Sequence, residues 1–185
     1  MKPVKKMSLG ELAAFVCTQL KNHGIKAVLS GGGCVSIYTD NRYQSFDLDF
    51  IENAPTGRKY IKEALLEIGF IEKDRYFEHP DTDFIIEFPA GPLAVGSEPV
   101  REIEEMEFST GRLLLLSPTD CVKDRLAAFY HWNDPQCLEQ ALLVTEKRKV
   151  DLREVLRWSA AENKSAEFQS IRKRLSEAAR KRNDS

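Results

Sequence analysis

The segment spanning residues 29–51 constrains this chain more than any other part of its sequence. It reads LSGGGCVSIYTDNRYQSFDLDFI, with three consecutive glycines after a short apolar run and two aspartates around a leucine. Residues 26–30 and 46–51 are predicted to be strands, and the glycines are predicted to open a short helix at roughly residues 34–39. The segment therefore predicts a glycine turn next to a strand that carries two carboxylates.

Asp47 and Asp49 are predicted to project from one face of their strand, because alternate residues of a strand point the same way. Leu48 and Phe50 would then enter the core. Two adjacent carboxylates repel each other unless a cation lies between them, and Mg²⁺ prefers such hard oxygen ligands. The alternative is a pair of exposed acids at a sheet edge, which is common for aspartates considered alone.

The glycines Gly31, Gly32 and Gly33 lie between a strand and a predicted helix start. Backbone without side chains lets a phosphate approach closely, and the N–H groups of a helix N-terminus stabilise its charge. A tight turn without any ligand is the alternative for the glycines alone. The order of glycine turn, short helix and two-aspartate strand is more specific, and it favours a phosphate site facing a metal site.

A third carboxylate is predicted on the segment DFIIEF. Phosphoryl transfer with two metal ions usually uses a further acidic ligand. Phe84, Ile86 and Phe88 share one face of the predicted strand, which leaves Glu87 on the other. An unpaired buried carboxylate is costly, so Glu87 is predicted either to bind a metal ion, which we favour, or to form a salt bridge with a nearby Arg or Lys.

Residues 1–116 mix helical and strand patterns. Ser8 and Glu11 form a predicted capping box at the first helix. Further predictions are a strand pair at residues 70–77 and 83–88, a loop at residues 89–99, and a hairpin of residues 104–108 and 112–116.

From Ser117 onward the pattern is helical only. Ser117 to Asp120 read SPTD, with an N-cap residue, a proline in the first turn and an acid at the third position. Predicted helices follow at residues 118–130, 135–147, 151–161 and 165–181. The prediction is an α+β fold, with a mixed β-sheet flanked by helices in residues 1–116 and a helical region in residues 117–185.

The composition is typical of a folded protein without a membrane span. The net charge of −2 does not indicate a nucleic-acid binder, but residues 147–184 hold 12 Lys and Arg against 6 Asp and Glu. That basic tail is predicted either to contact RNA or an acidic partner, or to be a set of solvated helical faces. The four cysteines have no C-x-x-C spacing, and the three histidines are scattered and form no zinc pattern. The chain also has no apolar segment of about 20 residues. These features predict a cytoplasmic protein with reduced thiols.

These motifs resemble the nucleotidyltransferase fold of the DNA polymerase β-like superfamily. That pattern has a strand ending in Gly-Gly or Gly-Ser, a short helix, Asp-hydrophobic-Asp/Glu, and a third acid on a later strand. The matching residues here are Gly31-Gly32 or Gly32-Gly33, then Asp47-Leu48-Asp49, and Glu87.

Within that superfamily the chain is similar to the abortive-infection toxin nucleotidyltransferases of type IV toxin–antitoxin systems, over roughly residues 9–130. Those proteins carry an Arg and a Ser ahead of the aspartates, which match Arg42 and Ser45. They also carry a basic residue before a Leu in a later helix, which matches Arg125 or, alternatively, Lys123 in SPTDCVKDRLAAF. The chain departs from them at HWNDPQCLEQ, where they have an Arg and two further aspartates.

The resemblance implies that Asp47 and Asp49 hold Mg²⁺ or Mn²⁺, and that Glu87 shares one metal ion and helps to deprotonate an attacking hydroxyl. It also implies a nucleotide site. The residues expected to position and neutralise the triphosphate are the glycine turn, Ser30 or Ser45, and Arg125 or Lys123. The alternative for Arg125 is a solvated face of an amphipathic helix.

The implied activity is transfer of a nucleoside monophosphate from a nucleoside triphosphate to an acceptor hydroxyl on RNA, a protein or a small molecule. An antitoxin is a candidate partner. One alternative is a catalytically lapsed protein of the same fold that senses nucleotides or recognises a partner, although three retained carboxylates argue against lapse. Another is an interaction protein that works through residues 165–185.

Overall fold

A computed structural model describes residues 2–54 and 56–183 of the chain. The strands in this part of the chain are β1 (Ala27–Ser30), β2 (Asp47–Glu52), β3 (Ile71–Lys73), β4 (Tyr76–His79), β5 (Thr82–Glu87), β6 (Ala94–Val95), β7 (Glu98–Pro99), β8 (Ile103–Phe108) and β9 (Gly111–Leu116). The helices are α1 (Leu9–Asn22), α2 (Gly31–Tyr38), α3 (Arg58–Leu66), α4 (Pro118–Trp132), α5 (Pro135–Lys147), α6 (Leu152–Ala161) and α7 (Ser165–Asn183). A short 3-10 turn, Val4–Lys6, precedes them.

Seven of these strands form one mixed sheet in the order β3-β4-β5-β2-β1-β9-β8, and β6 and β7 form a separate ribbon. At the centre, β2 runs antiparallel to β1 and parallel to β5. The register places Asp49 directly opposite Ser30 on one side and Glu87 on the other. The sheet therefore brings the glycine turn and the third acid to the same aspartate. The predicted α+β fold is confirmed.

The helix starts follow from their capping residues. The Ser8 hydroxyl accepts the N–H of Glu11 at 3.3 Å, and the Glu11 carboxylate accepts the N–H of Ser8 at 2.8 Å, which is the predicted capping box. At α4 the Ser117 hydroxyl accepts the N–H of Asp120 at 3.1 Å, with Pro118 in the first turn. Both patterns satisfy N–H groups that a helix leaves without partners.

Three segments differ from the sequence predictions. Helix α2 begins at Gly31, so the glycines form its first turn instead of preceding it. Residues 70–77 form two strands, because Asp74 takes a left-handed conformation with φ of 56° and reverses the chain. The predicted loop at residues 89–99 contains the β6–β7 ribbon.

The hydrophobic core continues from the sheet into the helical half. Trp158 is fully buried, donates its indole N–H to the Val95 carbonyl at 3.1 Å, and stacks on Tyr130 with ring centroids 6.0 Å apart. One buried cluster includes residues on both sides of residue 116, and the predicted boundary at that position stays a prediction.

All four cysteines are buried and free of disulfides, in agreement with the predicted thiols. Within residues 2–54 and 56–183, no helix combines the length and the apolar character that crossing a bilayer requires.

Candidate active site

Three carboxylates lie on one face of the sheet at adjacent positions of β2 and β5. Leu48 and Phe50 are fully buried on the opposite face, so Asp47 and Asp49 share the other face. Glu87 is directly opposite Asp49 in the parallel register. Because residues directly opposite each other in paired strands point to the same face, the sheet brings together the three acids predicted from the sequence.

The charge at Asp49 is poorly compensated. Burial, then the negative charges of Glu87 and Asp47, raise the pKa of Asp49 to about 6, and the positive charge of Arg125 opposes the shift. A half-buried carboxylate beside two others is the environment in which a divalent cation is most stabilising. The donor set therefore fits Mg²⁺ or Mn²⁺ held by Asp47, Asp49 and Glu87.

The third acid, Glu87, forms a salt bridge with Arg75. Glu87 Oε1 lies 3.4 Å from Nε of Arg75, which is the salt bridge that the sequence left open as its alternative role. No three His, Cys, Asp or Glu side chains in the described part of the chain form a ready-made metal cluster. A metal ion held by all three acids would therefore compete with Arg75 for Glu87.

The glycine turn abuts the carboxylate of Asp49. Gly31 has a left-handed φ of +63°, and a Cβ there would collide with Asp49 Oδ2, so no other residue fits without rearrangement. The hydroxyl of Ser30, the N-cap residue, donates to the Asp49 carbonyl at 3.1 Å and does not cap the helix. The first-turn N–H groups of α2 therefore receive no side-chain cap from Ser30.

The other two glycines have different surroundings. A Cβ at Gly32 would meet Ser45 Oγ at 3.0 Å and the Tyr43 ring at 3.4 Å, whereas a Cβ at Gly33 would meet the side chains of Leu29 and Leu48, each at 3.3 Å. Gly33 thus allows the helix to pack against the sheet. This geometry favours Gly31-Gly32 as the pair that faces a ligand.

Ser36, which none of the sequence motifs singles out, fixes the loop that leads into β2. Its buried hydroxyl donates to the Gly32 carbonyl at 3.1 Å and accepts the N–H of Ser45 at 2.8 Å. The Ser45 hydroxyl in turn donates to the Asp47 carbonyl at 3.1 Å. A lone serine among the apolar residues of α2 was the available signal.

Arg125 is near enough to Asp49 for its positive charge to lower the pKa of that carboxyl. The Arg125 guanidinium donates to Asp124 at 2.6 and 3.0 Å and to Gln140 at 3.4 Å. The side chain is only 17% exposed, so it does not lie on a solvated helical face. No sequence signal could have identified Gln140, which comes from α5.

Lys123 lies away from the carboxylates. Its ammonium pairs with Asp120 at 3.1 Å and Glu154 at 2.7 Å, and Glu154 pairs in turn with Arg157. Since residues two apart on a helix point in nearly opposite directions, Lys123 and Arg125 cannot both face the site. Arg42 is also remote, with Nη1 3.5 Å from Oε2 of Glu146.

Comparison with solved structures shows the same fold in two other proteins. An antigenic nucleotidyltransferase-like protein from Paracoccidioides brasiliensis has a TM-score of 0.63 at 11% identity, with 95% of each chain covered. The solution structure of the antibiotic-resistance factor ANT(2'')-Ia is also similar, with a TM-score of 0.50 at 14% identity, and the match covers 91% of this chain and 95% of that one. The same protein also matches in a crystal complex with adenylyl-2''-tobramycin (TM-score 0.53, 13% identity, 84% and 96%).

No family model matches the chain, and no curated protein matches it. At these identities the structural likeness shows the fold alone. The chain thus has the fold of nucleotidyltransferase-like proteins, which confirms that part of the prediction. The similarity to abortive-infection toxins stays a prediction.

Proposed function

We propose that the protein is a metal-dependent nucleotidyltransferase that transfers a nucleoside monophosphate from a nucleoside triphosphate to an acceptor hydroxyl. The observation that carries this proposal is the register that sets Asp49 beside Glu87, with the backbone of Gly31 against the Asp49 carboxylate. This arrangement supports the proposal because three acids share a sheet face next to the first turn of α2, in a fold shared with nucleotidyltransferase-like proteins.

Asp47, Asp49 and Glu87 would hold Mg²⁺ or Mn²⁺, which when bound stabilises the charge of the phosphates and acidifies the acceptor hydroxyl. The backbone of Gly31 and Gly32 receives the triphosphate at the N-terminus of α2. Arg125, oriented by Asp124 and Gln140, neutralises phosphate charge.

The transfer itself needs one proton acceptor. The acceptor oxygen forms a bond to the α-phosphorus, the bond from that phosphorus to the β-phosphate oxygen breaks, and pyrophosphate leaves. The hydroxyl proton passes to Glu87, which lies across the strand pair from Asp49. Glu87 can take this role only when it is released from Arg75.

Three classes of acceptor belong to the proposal. ANT(2'')-Ia is seen with adenylyl-2''-tobramycin, which supports a small molecule. A depression of about 710 Å³, lined by five cations and two acids, supports RNA, and a protein side chain is the third class. The residues that line this depression are Asp40, Arg42, Glu146, Lys147, Arg148, Lys181 and Arg182. We expect the protein to act in the cytoplasm, with an antitoxin as partner if the toxin similarity holds.

The test is calorimetric binding of the four nucleoside triphosphates with and without Mg²⁺. We expect binding that needs Mg²⁺ and is lost in Asp49→Asn. The matched control is Asp83→Asn, which removes an exposed acid from the neighbouring strand. Binding by Asp49→Asn that equals wild type would refute the proposed site. Release of pyrophosphate in the presence of RNA, protein or small-molecule fractions then identifies the acceptor.

A second candidate function is nucleotide binding without catalysis. The ion pair between Glu87 and Arg75 favours it, because it removes one carboxylate from the metal site. Metal-dependent binding without pyrophosphate release, with any acceptor class, would support this second function over the first.

A further inference from the structure

Arg75 holds the third carboxylate of the candidate site. It lies between β3 and β4, and its Nε is 3.4 Å from Oε1 of Glu87. Its guanidinium stacks over the Tyr76 ring at 4.7 Å from the centroid and donates to the Tyr76 hydroxyl. Tyr76 is directly opposite Glu87 in the β4–β5 register. The sheet therefore places Arg75, on its aromatic support, next to Glu87.

Arg75 and Arg125 differ in how firmly they are held. Arg125 is 17% exposed and donates to both Asp124 and Gln140. Arg75 is 70% exposed. An exposed ion pair at this distance is weak, and the planar guanidinium can remain on the tyrosine ring without the carboxylate. Arg75 can therefore release Glu87 without losing its place.

Once Arg75 releases it, Glu87 is in a position to bind a cation together with the two aspartates. Glu87 is directly opposite Asp49, on the face that Asp47 shares. A divalent cation at this face would attract the Glu87 carboxylate more strongly than a solvated guanidinium does, because it carries twice the charge and binds oxygen directly. Arg75 and the metal ion cannot both take the same carboxylate oxygen.

We propose that Arg75 is a positioning residue that neutralises Glu87 in the metal-free protein and is exchanged for a divalent cation when the site is loaded. The inference rests on the proposed function and extends it, since it makes metal binding a competition at Glu87. Arg75 thereby lowers the affinity of the site for metal ions.

The experiment measures Mn²⁺ binding to the full chain by electron paramagnetic resonance, without nucleotide. We expect Arg75→Met to bind Mn²⁺ about two- to five-fold more tightly than wild type, the range that loss of an exposed ion pair supports. Glu87→Gln should bind more weakly. Adding Arg75→Met to Glu87→Gln should change nothing further, because the competing pair is already absent.

Two variants control for charge. Lys73→Met removes a cation of the same hairpin that is 69% exposed and pairs with Glu78 instead, so we expect wild-type affinity. Arg75→Lys retains the charge and should lie between wild type and Arg75→Met.

The outcomes separate this inference from the proposed function. If wild type and Asp49→Asn bind Mn²⁺ equally, the metal site itself is wrong and both proposals fall. If binding depends on Asp49 but Arg75→Met binds no more tightly than wild type, only the exchange is wrong. The exchange is also wrong if Arg75→Met raises the Mn²⁺ affinity equally in wild type and in Glu87→Gln, or if Lys73→Met raises it as much as Arg75→Met does. Either result would mean that the effect is a general change of charge.

Discussion

Asp49 is expected to destabilise the metal-free protein at neutral pH. Burial, then the charges of Glu87 and Asp47, raise the pKa of its carboxyl from 3.8 to about 6. Each unit of pKa difference between the folded and unfolded chain corresponds to about 1.4 kcal/mol. Ionised Asp49 therefore lowers the free energy of unfolding by about 3 kcal/mol.

The direction follows from which state binds the proton more tightly. Above about pH 6, Asp49 is ionised in both states and the full destabilisation is present; below pH 3.8 it is protonated in both and the effect vanishes. A carboxyl whose folded-state pKa is raised thus makes the protein less stable as the pH rises through this window. This is opposite to the behaviour of Glu154, whose pairing with Arg157 lowers its pKa to about 2.

The assay is urea unfolding of wild type and Asp49→Asn in the presence of a chelator. Asp49→Asn should be more stable than wild type by about 3 kcal/mol near about pH 7.5, and by only about 1 kcal/mol near about pH 4.5. Mg²⁺ or Mn²⁺ should stabilise wild type and leave Asp49→Asn unchanged. Asp83→Asn, which changes an exposed acid, should match wild type both in stability and in its stabilisation by the metal ion.

A wild-type protein as stable as Asp49→Asn at neutral pH would refute this reasoning. It would mean that the carboxylate is solvated or paired in solution, and that the repulsion described for the site does not exist.

Three further predictions concern the glycine turn, the loop before β2 and the basic residues of α4. Gly31→Ala should destabilise the protein by about 1–3 kcal/mol and abolish triphosphate binding, whereas Gly24→Ala, with a left-handed φ of +74° but open space around it, should cost about 1 kcal/mol; urea unfolding and calorimetry check both. Ser36→Ala removes two hydrogen bonds and should lower stability by about 1–3 kcal/mol and weaken triphosphate binding. Lys123→Met leaves Asp120 and Glu154 without their shared cation and should cost about 1–3 kcal/mol, with triphosphate affinity unchanged; a lost affinity would return Lys123 to the site.

The sequence pattern within single elements was sufficient to predict strand faces and helix starts. Alternation along β2 predicts the shared face of Asp47 and Asp49, and capping residues predict the start of α1 and α4. The choice between Arg125 and Lys123 could not be made this way. Helical spacing shows that the two point apart, but only tertiary packing decides which of their charges acts on Asp49.

The remaining parts depend on partners that are distant in the sequence. The parallel register that sets Glu87 opposite Asp49 joins residues from separate segments, and nothing in either segment specifies it. Arg75 was missed because residues 70–77 read as one strand, whereas the left-handed Asp74 turns the chain and places the arginine beside Glu87. The pairing of Arg75 with Glu87 is nonetheless the salt bridge that was predicted as the alternative role of Glu87, because an unpaired buried carboxylate is costly.

The C-terminal end of helix α2 is held by groups from both halves of the chain. The helix begins at Gly31, and its last residue, Tyr38, donates its hydroxyl to the Leu116 carbonyl at 2.6 Å. The Tyr38 carbonyl accepts the guanidinium of Arg148 at 3.0 Å. A fragment that ends before Arg148 would therefore lose one of the two hydrogen bonds that hold this end of the helix, whose first turn forms the proposed phosphate site. Experiments on that site should therefore retain the helical half.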